Sequence, residues 1–192
     1  MNELTTTTQV SVDGVMQGNG GATDEDRRNG FERGGWARPP KPLFDNEAMT
    51  FVHEIYQRAD AFLFGRRTYE LFAGYWGAEE RARAAAEDPG NHQIAAALNT
   101  KPKYLASTTL TDPQWADTTV LSGDLAAAIG ELKAKPGGEL QVHGSLSMVR
   151  WLLDNHLVDE ITLLTYPVVV GQGNAGRLPD RRRQRLRRLE CL

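Results

Sequence analysis

The chain has 192 residues, 40% of them hydrophobic and 24% charged, with a net charge of −3. Those values fit one globular domain with a core of useful size, and they exclude a global electrostatic pull toward nucleic acid or a membrane surface. The single cysteine, Cys191, excludes an intrachain disulfide, and no apolar run reaches membrane-spanning length. The N-terminal MNELTTTTQV lacks the basic and apolar regions of a signal peptide, so a cytoplasmic protein is expected.

In chain order, residues 4–12 (LTTTTQVSV) read as a β-rich strand that stops at the turn signal Asp13-Gly14. Residues 17–41, rich in Gly, Asp, Arg and Pro, read as a long ordered loop. Trp36 within it is expected to plug the core rather than cover a ligand. Residues 45–59 carry apolar side chains at helical spacing, with Asp45 as N-cap.

Residues 61–64 (AFLF) form a short buried strand that Gly65 breaks, and Arg66 to Leu71 open a helix. A strand that ends at glycine and starts a helix presents free N–H groups and a positive dipole end. With Arg66, Arg67 and Thr68 beside them, a phosphate is one natural guest. A surface turn with solvated arginines is the competing reading. Residues 74–91 read as a loop with a partly helical middle, and residues 93–98 as a short helix.

Strands are expected at 103–107 and 118–121, then a helix after Ser122 or Asp124 that closes at Pro136-Gly137-Gly138. Residues 139–143 (ELQVH) alternate as a strand, Gly144-Ser145 follows, and residues 146–155 form a helix. This second strand–glycine–helix unit repeats the logic of Gly65. Two such helix starts favour a ligand with several phosphates, a dinucleotide above all. Residues 158–166 complete the pattern, and the alternation of strands and helices implies an α/β protein with a mostly parallel sheet. His53, His92, His143 and His156 lack metal-ligand spacing and are read as structural or solvated, so no metal is expected.

The segments SVDG (11–14), FLFGRRTYE (62–70), KYLASTTL (103–110), LSGDLAAAI (121–129) and QVHGSLSMVRWLLDNHLVDEITLLTYPVVVGQG (141–173) fall in the order and spacing of the dihydrofolate-reductase-like family. More narrowly, the chain resembles stand-alone proteins similar to the C-terminal reductase domain of the riboflavin-biosynthesis enzyme RibD. The resemblance covers residues 4–173. It implies a three-layer α/β/α sandwich and an NADPH-dependent reductase that passes a hydride to a heterocyclic or sugar-linked substrate. It implies cofactor contacts at Gly65, Arg66, Arg67, Thr68, Ser107, Thr108, Gly144, Ser145 and Leu146, with an arginine suited to the 2′-phosphate. It also implies a homodimer and no membrane partner. For catalysis it points to Asp13, beside the nicotinamide and substrate, and to Glu47 or Glu54 as an acid on the helix before the Gly65 turn. Such an acid requires burial to raise its pKa toward neutrality.

After Gly173 the expected final pair of strands is replaced by NAGRLPDRRRQRLRRLECL, so the organisation reads as a domain over 1–173 and an atypical arginine-rich tail over 174–192. From Gly171 onward seven arginines face Asp180 and Glu190, a balance of about +5, against about −8 for the rest of the chain. A frameshifted or truncated terminus, a solvated tail and a basic arm for nucleic acid are the three readings, nucleic acid being the least favoured. The rival to the reductase is a non-catalytic nucleotide-binding protein that keeps the phosphate turns without a complete active site.

Overall fold

The computed structural model describes residues 2–37, 46–77 and 89–173. Six strands form one sheet: β1 (Glu3–Ser11), β2 (Ala59–Gly65), β3 (Lys103–Ala106), β4 (Thr118–Leu121), β5 (Glu139–Val142) and β6 (Glu160–Tyr166). Their order is β4-β3-β2-β5-β1-β6, and every pairing is parallel. The helices are α1 (Asp24–Arg28), α2 (Asn46–Arg58), α3 (Arg66–Phe72), α4 (Pro89–Thr100), α5 (Leu125–Ala134) and α6 (Leu146–Asp154). Among the described residues, no helix is long and apolar enough to cross a membrane.

Parallel strands need crossovers, and the crossovers cover both faces of the sheet. Strand β2 shows how the sequence divides its side chains. Ala61 and Leu63 join α5 and α6 in a cluster with Leu140, Val142, Leu152 and Ile161. Phe62 and Phe64 face the other way, into a cluster with Tyr69, Leu98, Leu105 and Trp115 under α2, α3 and α4. The register shift between Ala59 and Ala61 lets Ala59 share the phenylalanine face despite its odd number. Phe62, Leu63 and Phe64 are fully buried, each contributing roughly 1.5–3 kcal/mol. The result is the expected three-layer α/β/α sandwich.

Two local features differ from the sequence reading. The 17–41 segment is not all loop, because α1 forms within it. Thr23 and Asp26 make a reciprocal capping box, the first turn is acidic and the last is basic. The second difference lies around α4, which starts at Pro89 rather than Gln93, while Ala73–Gly77 makes a wide π-type turn after α3. Pro suits a first helical turn because its missing N–H has no intrahelical partner there. The expected N-cap Asp45 and the arginine-rich segment 174–192 lie outside the described residues, as do the strands expected to be missing there.

Lys103 is the one lysine among the largest fully buried side chains. Its Nζ donates to the carbonyls of Leu98 and Lys101 at the end of α4, at 3.0 and 2.9 Å, and lies 5.0 Å from the Trp115 ring centroid. The ammonium therefore satisfies orphan carbonyls where the helix dipole is negative. Lys103→Met keeps the stem and strips both carbonyls of their donor, so urea denaturation should show a loss on the order of 1–3 kcal/mol. Burial lowers the Lys103 pKa below 10.5. The unfolded chain then holds more protons as the pH nears that value, so wild-type stability should gain on the variant as the pH rises toward 10.5.

Candidate functional site

The sheet order places β5 directly beside β2. From the end of β2 the chain leaves toward β3 through α3, on the Phe62 face; from the end of β5 it leaves toward β6 through α6, on the Leu63 face. The two connections diverge in direction and in face, which opens a crevice at the C-terminal edge of the strands. Gly65 and Gly144 stand at its two sides. A methyl placed on Gly65 would lie 3.5 Å from Met148 Cε and 3.9 Å from Ser145 Oγ, so the two helix starts are neighbours although 79 positions separate Gly65 from Gly144 in sequence.

The helix caps divide by location. The N-termini of α1 and α5 are capped by their own Thr23 and Asp124 side chains. Those of α3 and α6 start at Gly65 and Ser145, and neither receives a side-chain cap. Their first amides are left to other acceptors. Gly144 has φ +70, a conformation that suits glycine, and the Gly144–Ser145 peptide is cis. Ser145 Oγ shares a 2.9 Å hydrogen bond with Ser147 Oγ. Leu146 is the first residue of α6.

Around these turns the predicted residues take distinct positions. Arg66 is exposed, with Nε on Glu70 Oε1 at 2.8 Å and Nη1 on Thr109 Oγ1 at 2.7 Å. Thus α3 and the turn after β3 are brought together, although Thr109 was not among the predicted contacts. Arg67 reaches instead to Glu25 of α1, at 2.5 Å. Thr68 is buried. Ser107 Oγ accepts the N–H groups of Thr109 and Leu110 at 3.3 and 2.9 Å, shaping the turn. Thr108 is exposed at its tip.

Of the three candidate acids, Asp13 and Glu54 are not brought together in this way. Glu47 lies in the first turn of α2, but its side chain lies outside the described residues. Glu54 is exposed and lines a surface groove of about 430 Å³ with Thr50, His53, Gln57, Arg58 and Gln93. None of the other predicted site residues whose side chains are described lines that groove. Asp13, in the turn after β1, accepts from Ser11 Oγ at 2.6 Å, Val170 N at 3.0 Å and Gly171 N at 2.7 Å. Those hydrogen bonds, the Ser11 hydroxyl foremost, hold its pKa at about 2. At neutral pH Asp13 is an anion that anchors the 168–171 segment, and it has no proton to give.

One polar feature escaped the sequence reading, although its spacing was visible. Glu139, Gln141 and His143 alternate along one face of β5. Glu139 is joined by Arg58 Nε at 2.7 Å and Thr5 Oγ1 at 3.1 Å. Gln141 Nε2 donates to Glu139 Oε2 at 2.7 Å and to Ile55 O at 2.6 Å. His143 Nε2 lies 3.1 Å from Gln141 Oε1, and its ring stacks on Tyr56 with centroids 4.4 Å apart. Burial holds the His143 pKa down at about 3, so the imidazole is neutral near pH 7.

The Asp13 geometry makes a prediction. Asp13→Asn keeps the shape but removes the charge from two backbone amides, so the melting temperature should fall and trypsin should cut faster at Arg33. Because the folded pKa is depressed, the stabilisation is present above 3.8 and lost as the pH falls toward 2. The difference between the two proteins should narrow over that window.

Comparison with known proteins places this architecture. The uncharacterized protein YyaP of Bacillus subtilis (strain 168) is 24% identical over 165 residues, spanning 85% of this chain and 74% of YyaP. The crystal structure of a putative riboflavin biosynthesis protein from Shewanella sp. PV-4 shares the fold at TM-score 0.60 and 22% identity, covering 91% of this chain and 82% of that one. A riboflavin biosynthesis reductase of Saccharomyces cerevisiae shares it at TM-score 0.51 and 12% identity, over 94% and 80% of the two chains. The sequence model of the RibD C-terminal domain matches residues 2–192, running past Gly173 through the arginine-rich segment. With a match of that extent and a parallel sheet among the described residues, the chain belongs to the RibD C-terminal domain family.

Proposed function

We propose that the protein is an NADPH-dependent reductase that delivers a hydride to a heterocyclic or sugar-linked substrate. The observation that carries this reading is the pair of adjacent, uncapped helix starts at Gly65 and Ser145. Amides of that kind accept phosphate oxygens, and the positive ends of two helices converge on one crevice. Arg66 and Thr109 flank it from α3 and the turn after β3. A planar guanidinium there suits the bidentate recognition of a 2′-phosphate. Family membership supports a reductase, and the fold is shared with the riboflavin biosynthesis reductase of Saccharomyces cerevisiae.

In this reading NADPH supplies the hydride. The chain's own residues bind and orient it: the amides of the two helix starts hold the phosphates, and Arg66 holds the charge at the adenosine end. Asp13 stays ionised and fixes the end of β1 against the 168–171 segment. The same commitment of Asp13 favours a second reading, a nucleotide-binding protein without catalysis, since this carboxylate has no proton to transfer.

Calorimetric titration distinguishes the outcomes. NADPH should bind more tightly than NADH, and Arg66→Ala with Arg67→Ala should weaken NADPH about tenfold or more while leaving NADH nearly unchanged. Equal affinity for the two cofactors would remove the 2′-phosphate role. Binding without NADPH oxidation, across pyrimidine and pterin substrates, would favour the non-catalytic reading.

A further inference from the structure

Two asparagines of the chain precede a glycine, Asn19 and Asn29, and both lie between β1 and α2. An Asn-Gly pair carries a chemistry of its own. The backbone nitrogen of the second residue can attack the side-chain carbonyl carbon of the first, and glycine has no Cβ to block the approach. The structure treats the two pairs differently.

Asn19 is half-buried and clamped. Its Nδ2 donates to Gln9 Oε1 at 2.8 Å, its Oδ1 accepts Gly20 N at 2.7 Å, and its carbonyl accepts Ala37 N at 3.0 Å. Asn29 is exposed, and its side chain makes no hydrogen bond among the described residues. A Cβ on Gly30 would meet nothing within 4 Å, so the space beside that residue is open. One restraint remains, the 3.0 Å hydrogen bond from Gly30 N to Arg27 O. It belongs to the last turn of a five-residue helix with no buried residue, and such a turn frays easily.

The turn that Asn29 closes does not accommodate the product. Asn29 is the C-cap of α1, and Gly30 follows at φ +80. Phe31 N reaches back to Asp26 O at 2.9 Å, outside the bond from Gly30 N to Arg27 O. These are the two bonds of a Schellman ending. An isoaspartate routes the chain through its own Cβ and Cγ, which inserts one more backbone atom into both hydrogen-bonded rings. It also leaves a free carboxylate at the negative end of the helix dipole.

We infer that Asn29 is a site of spontaneous deamidation, and that the isoaspartate formed there unwinds α1. Gly30 N loses its proton to solvent base and bonds to Asn29 Cγ; the Cγ–Nδ2 bond breaks and ammonia leaves. Water then opens the cyclic imide at the Asn29 main-chain carbonyl, giving isoaspartate, or at Cγ, giving aspartate. Water is the only co-reactant, and nothing is oxidised or reduced. Unwinding α1 also releases Glu25 from Arg67.

The test holds the full chain in mildly alkaline buffer and digests samples with pepsin, whose acid conditions stop the reaction. Electron-transfer fragmentation of the peptides separates isoaspartate from aspartate. Asn29 should convert at least about fivefold faster than Asn19, chiefly to isoaspartate. Brief trypsin treatment of the intact aged protein should cut after Arg27 about tenfold faster than in fresh protein. Asn29→Gln closes the ring far more slowly and should keep the slow cleavage throughout. Fresh Asn29→Asp carries the charge without the extra backbone atom and should also be cut slowly. Conversion at neither asparagine, or at Asn19 as fast as at Asn29, would overturn the site. Unchanged cleavage of protein that contains the isoaspartate, or fast cleavage of fresh Asn29→Asp, would overturn the unwinding.

Discussion

The insertion of β5 between β2 and β1 is the constraint on which the rest of the structure depends. β2 and β5 are far apart in sequence, and the chain builds β3 and β4 before it returns to fill the gap. Only that return brings Gly65 and Ser145 into contact distance. It also settles the division of labour between the layers. Leu140 and Val142 seal the α5–α6 core, while Glu139, Gln141 and His143 must face α2. A one-residue slip would exchange those two sets and place a carboxylate and an amide among Leu63, Leu152 and Ile161.

A polar stripe in the interior is tolerable only when its groups are paired, because an unsatisfied buried group costs the full loss of its hydration. Here the pairing is sequential. Arg58 and Thr5 take Glu139, Glu139 and Ile55 O take the Gln141 amide, and the Gln141 oxygen takes His143. Each link fixes the orientation of the next, from Arg58 at the start of the strand to His143 at its end. The same logic runs through Lys103, whose charge is tolerated because two helix-end carbonyls and an indole face surround it.

Much of this was legible in the chain. The period-two alternation of ELQVH and the unbroken apolar run AFLF marked β5 and β2, and the glycines after them marked the helix starts. Local signals of this kind survive because the tertiary structure uses them as they stand. The helix α1 was missed although Thr23-Asp24-Glu25-Asp26 spells its capping box, since the surrounding glycines outweighed five residues of helical signal. The ladder was missed for a different reason. Alternation tells which residues share a face, and not which hydrogen bonds join them across 80 or more positions, as between Gln141 and Ile55 or Arg58 and Glu139. The candidate acids carry no such local signature. An aspartate before a glycine reads equally as a substrate contact and as a turn anchor, and only the positions of Val170 and Gly171 distinguish the two.

Those positions bear on how the site is enclosed. The segment after β6 is tied to the loop after β1 by Asp13, by Arg33 Nη1 on Val170 O at 2.6 Å, and by Gln172, which accepts Glu32 N and donates to Gly30 O. Phe31 is buried in a cluster with Val15 and Val170, and Trp36 packs edge-on against Tyr166. The loop is thus anchored at the β1–β6 side of the sheet, yet Glu25 reaches Arg67 beyond β2. Since β5 and β1 lie between β6 and β2, this connection passes across the edge where Gly144 lies. An ion pair as exposed as Glu25–Arg67 is worth little by itself. The firm anchor on one side and the weak tie on the other therefore make the α1 end the less securely held part of this loop, with the β1–β6 side held in place.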